Sequence, residues 1–126
     1  MAAGARTFLA LGGIAAFLAV ALGAFGAHAL KNRVPGEMLA VWHTGIEYHL
    51  FHALGLLACG LVAVRLPESL LVKWSGWLML AGIVLFSGSL YALALSGERW
   101  LGAVTPAGGL AFLAAWAVFV AAVVMD

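Results

Sequence analysis

Ten residues able to do chemistry lie in otherwise apolar stretches: His28, His43, Glu47, Tyr48, His49, His52, Ser87, Ser89, Tyr91 and Thr105. In a helix, at about 100° per residue, His43 and Glu47 share one face a turn apart. His49 and His52 fall on roughly the opposite face, with Tyr48 beside His52. Imidazoles can ligate a metal or haem iron, an acid and a histidine can relay protons, and serine with histidine can form a nucleophilic dyad. None of these chemistries has its usual spacing here. The run is not His-Glu-x-x-His, so a metal would need ligands from other segments, with His28 and His52 as the candidates. Neither Ser87 nor Ser89 stands in a nucleophile-elbow sequence, and helical serines commonly bond back to the preceding turn.

The elements that must position these groups follow from composition. Of 126 residues, 66% are apolar and 9% charged, with a mean hydropathy of +1.14. Soluble domains run near 25% charged because water must wet their surface. This chain therefore belongs in lipid. A soluble enzyme, a disordered tail and a nucleic-acid binder are excluded, the last because net charge is +1 with no basic run. Cys59 is the sole cysteine, which removes a disulfide framework and a cysteine-based zinc site.

Four uncharged or nearly uncharged runs are long enough to cross about 30 Å of hydrocarbon. They are Thr7–Leu30, Leu39–Val64, Trp74–Leu95 and Pro106–Met125. None alternates with the period of a barrel strand, so each must satisfy its own backbone as a helix. Short connections then predict an all-α membrane protein, an antiparallel four-transmembrane-helix bundle forming one domain over residues 1–126. Pro67 is expected to open the third helix, and Thr105-Pro106 to cap and begin the fourth. Trp74, Trp77 and Trp100 mark span ends as an aromatic belt. Arg6, the first apolar run and Ala27-His28-Ala29 resemble a secretory signal, but 24 apolar residues exceed a signal core, and the run is read as a true helix. Lys and Arg tie across the membrane: Arg6, Arg65 and Lys73 against Lys31, Arg33 and Arg99. The free amino terminus tips the expectation toward cytoplasmic termini.

Helices in lipid associate through close packing and interhelical hydrogen bonds. Ala15, Ala19, Gly23 and Ala27 predict one smooth ridge, Gly88, Ala92 and Ser96 another, and Ala107, Ala111 and Ala115 a third. Gly26, Gly108 and Gly109 join Gly23 and Gly88 as packing positions. The topology gathers His28, the second-helix cluster, Ser87, Ser89, Tyr91 and Thr105 in one half of the bilayer, with His52 near the middle. Glu47 is the exceptional member, since an acid at a helix centre costs about 2.5–3.5 kcal/mol on insertion scales. The expectation is that Glu47 faces the bundle interior and bonds a histidine or Tyr91, or pairs with His43 to fix helix register.

Four ordered motifs carry a resemblance: Gly23-Ala24-Phe25-Gly26-Ala27-His28, Thr44-Gly45-Ile46-Glu47-Tyr48-His49-Leu50-Phe51-His52, Leu85-Phe86-Ser87-Gly88-Ser89-Leu90-Tyr91 and Val104-Thr105-Pro106-Ala107-Gly108-Gly109. From about Phe8 to Trp116 the chain resembles the YgdD/YwdK-like family of small inner-membrane proteins, a domain of unknown function with distant mitochondrial relatives. The resemblance implies a four-helix bacterial inner-membrane protein and brings no reaction or cofactor with it. His43 and His49 fit the motifs less well than His28, Glu47, Tyr48 and His52.

Small size, minimal loops and no cofactor box point to a non-enzymatic accessory or assembly component of a membrane complex. Its partners would be the bilayer, other membrane subunits or a second copy. The alternatives are a metal, haem or quinone binder using His28, His52, Glu47 and Tyr91, and a proton or solute conduit using Glu47 and His52. An intramembrane hydrolase built on Ser87 or Ser89 ranks last.

Overall fold

Four long helices and short turns account for the computed structural model, which describes residues 1–126. Helix one covers Ala3–Leu30, helix two Gly36–Arg65, helix three Leu70–Ser96 and helix four Arg99–Met125. There is no strand, and all four helices are long and apolar enough to span a membrane. The all-α, antiparallel four-helix membrane architecture expected from the apolar runs is the one adopted. At about 1.5 Å per residue, helices of 27 to 30 residues reach about 40–45 Å. Helices two and three begin three and four residues before the expected starts, because apolar counting marks the part in hydrocarbon and the hydrogen-bonded backbone continues beyond it.

Helix ends correct two expectations. Pro67 lies in a turn; Ser69 is the cap of helix three, accepting from the Val72 amide at 3.2 Å. Thr105 does not cap helix four. Helix four opens with a 3-10 turn over Arg99–Ala103, Thr105 is already helical, and its hydroxyl bonds Ser89 instead. Helix three stops at Gly97, whose φ of 73° is the left-handed conformation that glycine adopts without a Cβ clash.

Seven of the ten buried residues of helix two recur at alternating steps of three and four: Trp42, Gly45, His49, His52, Leu56, Cys59 and Ala63. Helix one answers with Ala5, Phe8, Gly12, Ala15 and Ala19. This period near 3.5 is the seam of left-handed helix pairs. Close approach comes from glycine: a Cβ on Gly12 would lie 2.9 Å from the Leu57 amide nitrogen, and one on Gly60 2.9 Å from that of Leu9. The first and last spans have 22% of their most apolar window buried, the second and third 44%. Helices two and three are thus the inner pair, with helix one laid on helix two and helix four on helix three.

Two helices contain a π-turn, at Gly26–Leu30 in helix one and Ile83–Ser87 in helix three. Each widens the helix by one residue and rotates the packed face. In helix one the seam passes from Ala19 to Gly26 and Leu30, leaving Ala27 and His28 exposed, so the expected ridge does not reach Ala27. Gly23 is half-buried, with Ile46 at an ordinary 3.6 Å from its Cβ position; a Cβ on Gly26 would come within 2.5 Å of the Trp42 indole nitrogen. Gly88 would meet nothing within 4 Å and is not a packing contact.

Candidate functional site: a lateral groove between helices two and four

The polar side chains of the interior join helices to one another. His49 Nδ1 and Tyr91 Oη are 2.8 Å apart, linking helices two and three. Ser87 Oγ donates to the Gly45 carbonyl at 2.7 Å, reaching helix two from the end of the π-turn. Ser89 and Thr105 hydroxyls lie 2.6 Å apart between helices three and four, and Ser89 also donates back to Phe86 O. Trp42 Nε1–H donates to Leu22 O of helix one at 3.0 Å, and its ring packs on Tyr91. In the other half of the bundle, Ser75 donates to the Ala115 carbonyl at 2.8 Å and contacts Cys59 Sγ. No buried side-chain nitrogen or oxygen lacks a partner. The two serines once weighed as nucleophiles are therefore both spent on carbonyls.

His52 is held from two sides. Its Nδ1 stands 2.7 Å from the Tyr48 carbonyl, which can only accept, so Nδ1 carries the proton. Its Nε2 accepts from Trp116 Nε1–H at 3.0 Å. The ring also stacks on Phe112, with centroids 3.5 Å apart and planes at 9°. Both nitrogens being engaged, His52 offers no lone pair to a metal and no free site to a proton relay. His28 is exposed on helix one, and no three His, Cys, Asp or Glu side chains gather into a ligand set.

Glu47 contradicts the expectation made for it. It is exposed on the lipid-facing side of helix two and bonds neither a histidine nor Tyr91. Nor does it pair with His43; the chain's one ion pair joins exposed Arg99 and Glu37 at 3.9 Å. His49, discounted from the motifs, is the buried histidine that holds Tyr91.

Glu47 lies instead on the wall of a groove of about 850 Å³. Helices two and four approach each other little directly, and aromatic rings bridge the gap. Tyr48, Phe51 and His52 come from helix two, Phe86 from the π-turn of helix three, and Pro106, Phe112 and Trp116 from helix four. Gly109, Leu110 and Leu113 complete the lining. The floor is rigid: Phe86 backbone presses on Gly108, where a Cβ would come within 2.3 Å of the Phe86 amide nitrogen. Gly109 has looser contact, with the Phe86 ring at 3.9 Å from its Cβ position. Phe112, Trp116 and Gly45 were not expected as site or packing residues. The alternating three-four spacing of Trp42, Gly45, His49 and His52 was the available signal for which face of helix two packs.

Fold and site together define a small four-span integral membrane protein with an aromatic groove open to the side and one carboxyl on its wall. Comparison with known proteins agrees that it is a membrane protein. A family model described as a protein of unknown function, DUF423, matches residues 22–109, and the chain belongs to that family. It is 52% identical over 119 residues to the UPF0382 membrane protein YwdK of Bacillus subtilis, covering 94% of this chain and 97% of the relative. UPF0382 membrane proteins of Staphylococcus saprophyticus and Staphylococcus epidermidis are 46% and 45% identical, over 91% and 93% of this chain and 94% of each relative. The resemblance read from the four motifs is thereby established. No solved structure matches.

Proposed function

We propose that the chain is a non-enzymatic accessory component of the bacterial inner (plasma) membrane, a single domain over residues 1–126 that works by binding at its lateral groove. The observation that carries this reading is a division of labour among polar groups. Those of the interior are spent on bonds that hold helices together, while Glu47, the one carboxyl lining the groove, has no protein partner. Glu47 is a free carboxyl, but the groove walls set neither a free serine nor a free imidazole nitrogen beside it to complete a nucleophile–base pair. The metal, haem and conduit readings lose support for the same reason, since each was to run through His52.

Photo-crosslinking in native membranes tests the reading. A benzoyl-phenylalanine at Leu110, on the groove, should give a discrete adduct resolved by mass. The same group at Ile14, on the exposed side of helix one, should give only scattered lipid adducts. Indistinguishable adducts from the two positions would remove the groove as the working surface.

A further inference from the structure

The groove has a size, a lining and a charge, and together they select an occupant. We propose that it binds a lipophilic cation, an apolar body carrying one quaternary or protonated nitrogen (or its phosphonium equivalent), with Glu47 as counter-charge and the aromatic walls as its bed. This rests on the groove being the working surface and names what it takes.

Size favours a small molecule over a partner helix. About 850 Å³ lies within the range of roughly 300–1,000 Å³ typical of small-ligand sites. Along helix four the lining runs from Pro106 to Trp116, about 15 Å at helical rise, or half of the hydrocarbon thickness. A spanning segment could seat only part of its length there.

Charge sets the sign. Glu47 lies eleven residues into helix two, within about one turn of its midpoint, so its carboxyl is deep in hydrocarbon where a bare charge is costly. A cation brought to the groove offsets that cost. A second copy of this chain brings no Lys or Arg to that depth, because Arg6, Lys31, Arg33, Arg65, Lys73 and Arg99 all fall at span ends or turns.

The lining supplies the remaining affinity. Tyr48 and Trp116 line the groove with the ring types that attract a poorly hydrated cation best, and Phe51 and Phe86 extend the aromatic wall. Tyr48 packs on Phe86 at 4.4 Å, and the His52 bonds hold Trp116 in place, so the bed is formed before any ligand arrives.

The test uses two ions of equal shape and opposite charge, tetraphenylphosphonium and tetraphenylborate, in equilibrium binding to the full chain in zwitterionic nanodiscs. Saturable one-to-one binding of tetraphenylphosphonium is expected, at least tenfold tighter than tetraphenylborate. Glu47→Gln should lose that preference at least tenfold, and Leu113→Trp, which fills the groove, should lose binding altogether. Phe17→Ala, on the outer face of helix one, should change nothing. Because the Glu47 carboxyl has no hydrogen-bond or ion-pair partner, Glu47→Gln should keep the melting behaviour of the parent, which is checked alongside. Equal binding of the two ions, or equal phosphonium binding by Glu47→Gln, would overturn the proposal. If phosphonium binding fails while Leu110 still gives its discrete crosslink, the groove stands and its occupant is a partner of another kind; if both fail, the groove reading falls with it.

Discussion

Glu47 and His49 are two residues apart on helix two and meet opposite environments, and the difference decides what each substitution should do. His49 is buried and bonded to Tyr91, so Tyr91→Phe removes a hydrogen bond and leaves an imidazole nitrogen without its partner. The expected cost is about 0.5–1.5 kcal/mol, read by reversible unfolding in mixed detergent micelles. Glu47 has no partner to lose, and replacing an acid in hydrocarbon by leucine removes an insertion cost. Glu47→Leu is therefore expected to leave stability unchanged or raise it by the same measurement, the opposite of what a buried, bonded carboxyl would show. Helical spacing in the sequence was enough to separate His43 and Glu47 from His49 and His52. It could not say which of the two faces the neighbouring helices cover. That choice is made by Gly45, where a Cβ would come within 2.7 Å of the Tyr91 ring, and by Trp42 beneath Gly26. A polar residue attracts attention on a helical wheel, but in helix two it is Gly45, Gly55 and Gly60 that mark the face that packs.

At the scale of elements, four spans and their order were legible because charge and apolar length obey the bilayer whatever the packing. The π-turns were not, since an added residue in a helical turn leaves no periodic mark in an apolar run. They matter here. The turn at Ile83–Ser87 brings Ser87 to the Gly45 carbonyl and turns Phe86 toward helix four, forming the floor of the groove. Gly108 is the counterpart of that floor. Gly108→Ala would drive a Cβ into the Phe86 backbone, which has no rotamer by which to yield, and should cost about 1–3 kcal/mol while opening the seam between helices three and four. Gly88→Ala is the matched control. Its Cβ meets open space, and alanine is the better helix former, so a gain of about 0.5–1 kcal/mol is expected. Thermal unfolding of both variants in one detergent checks the pair, and a Gly108→Ala chain as stable as the parent would show the two helices to be less tightly seated than described.

For the whole molecule, the open matter is which way it sits in its membrane, and the charges make a definite statement about how firmly. Even numbers of spans place both termini on one side, with Arg6, Arg65 and Lys73, while Lys31, Arg33 and Arg99 lie opposite. Orientation follows the excess of Lys and Arg in short loops, and here there is none. Arg6 stands directly before the first span, the one that usually dominates, and this favours cytoplasmic termini by a small margin. A fluorescent-protein fusion at the carboxyl terminus should glow in intact cells, as only a cytoplasmic fusion folds to fluorescence, and an alkaline-phosphatase fusion at the same place should be inactive. Two substitutions between helices one and two, Asn32→Lys in the turn and Gly36→Lys at the first residue of helix two, would move the Lys and Arg balance to three against five. They are expected to shift a large fraction of molecules to the inverted topology, with phosphatase activity rising as fluorescence falls. Unaltered fluorescence in that variant would mean that orientation is set by something other than the loop cations, and a parent chain without fluorescence would place the termini outside.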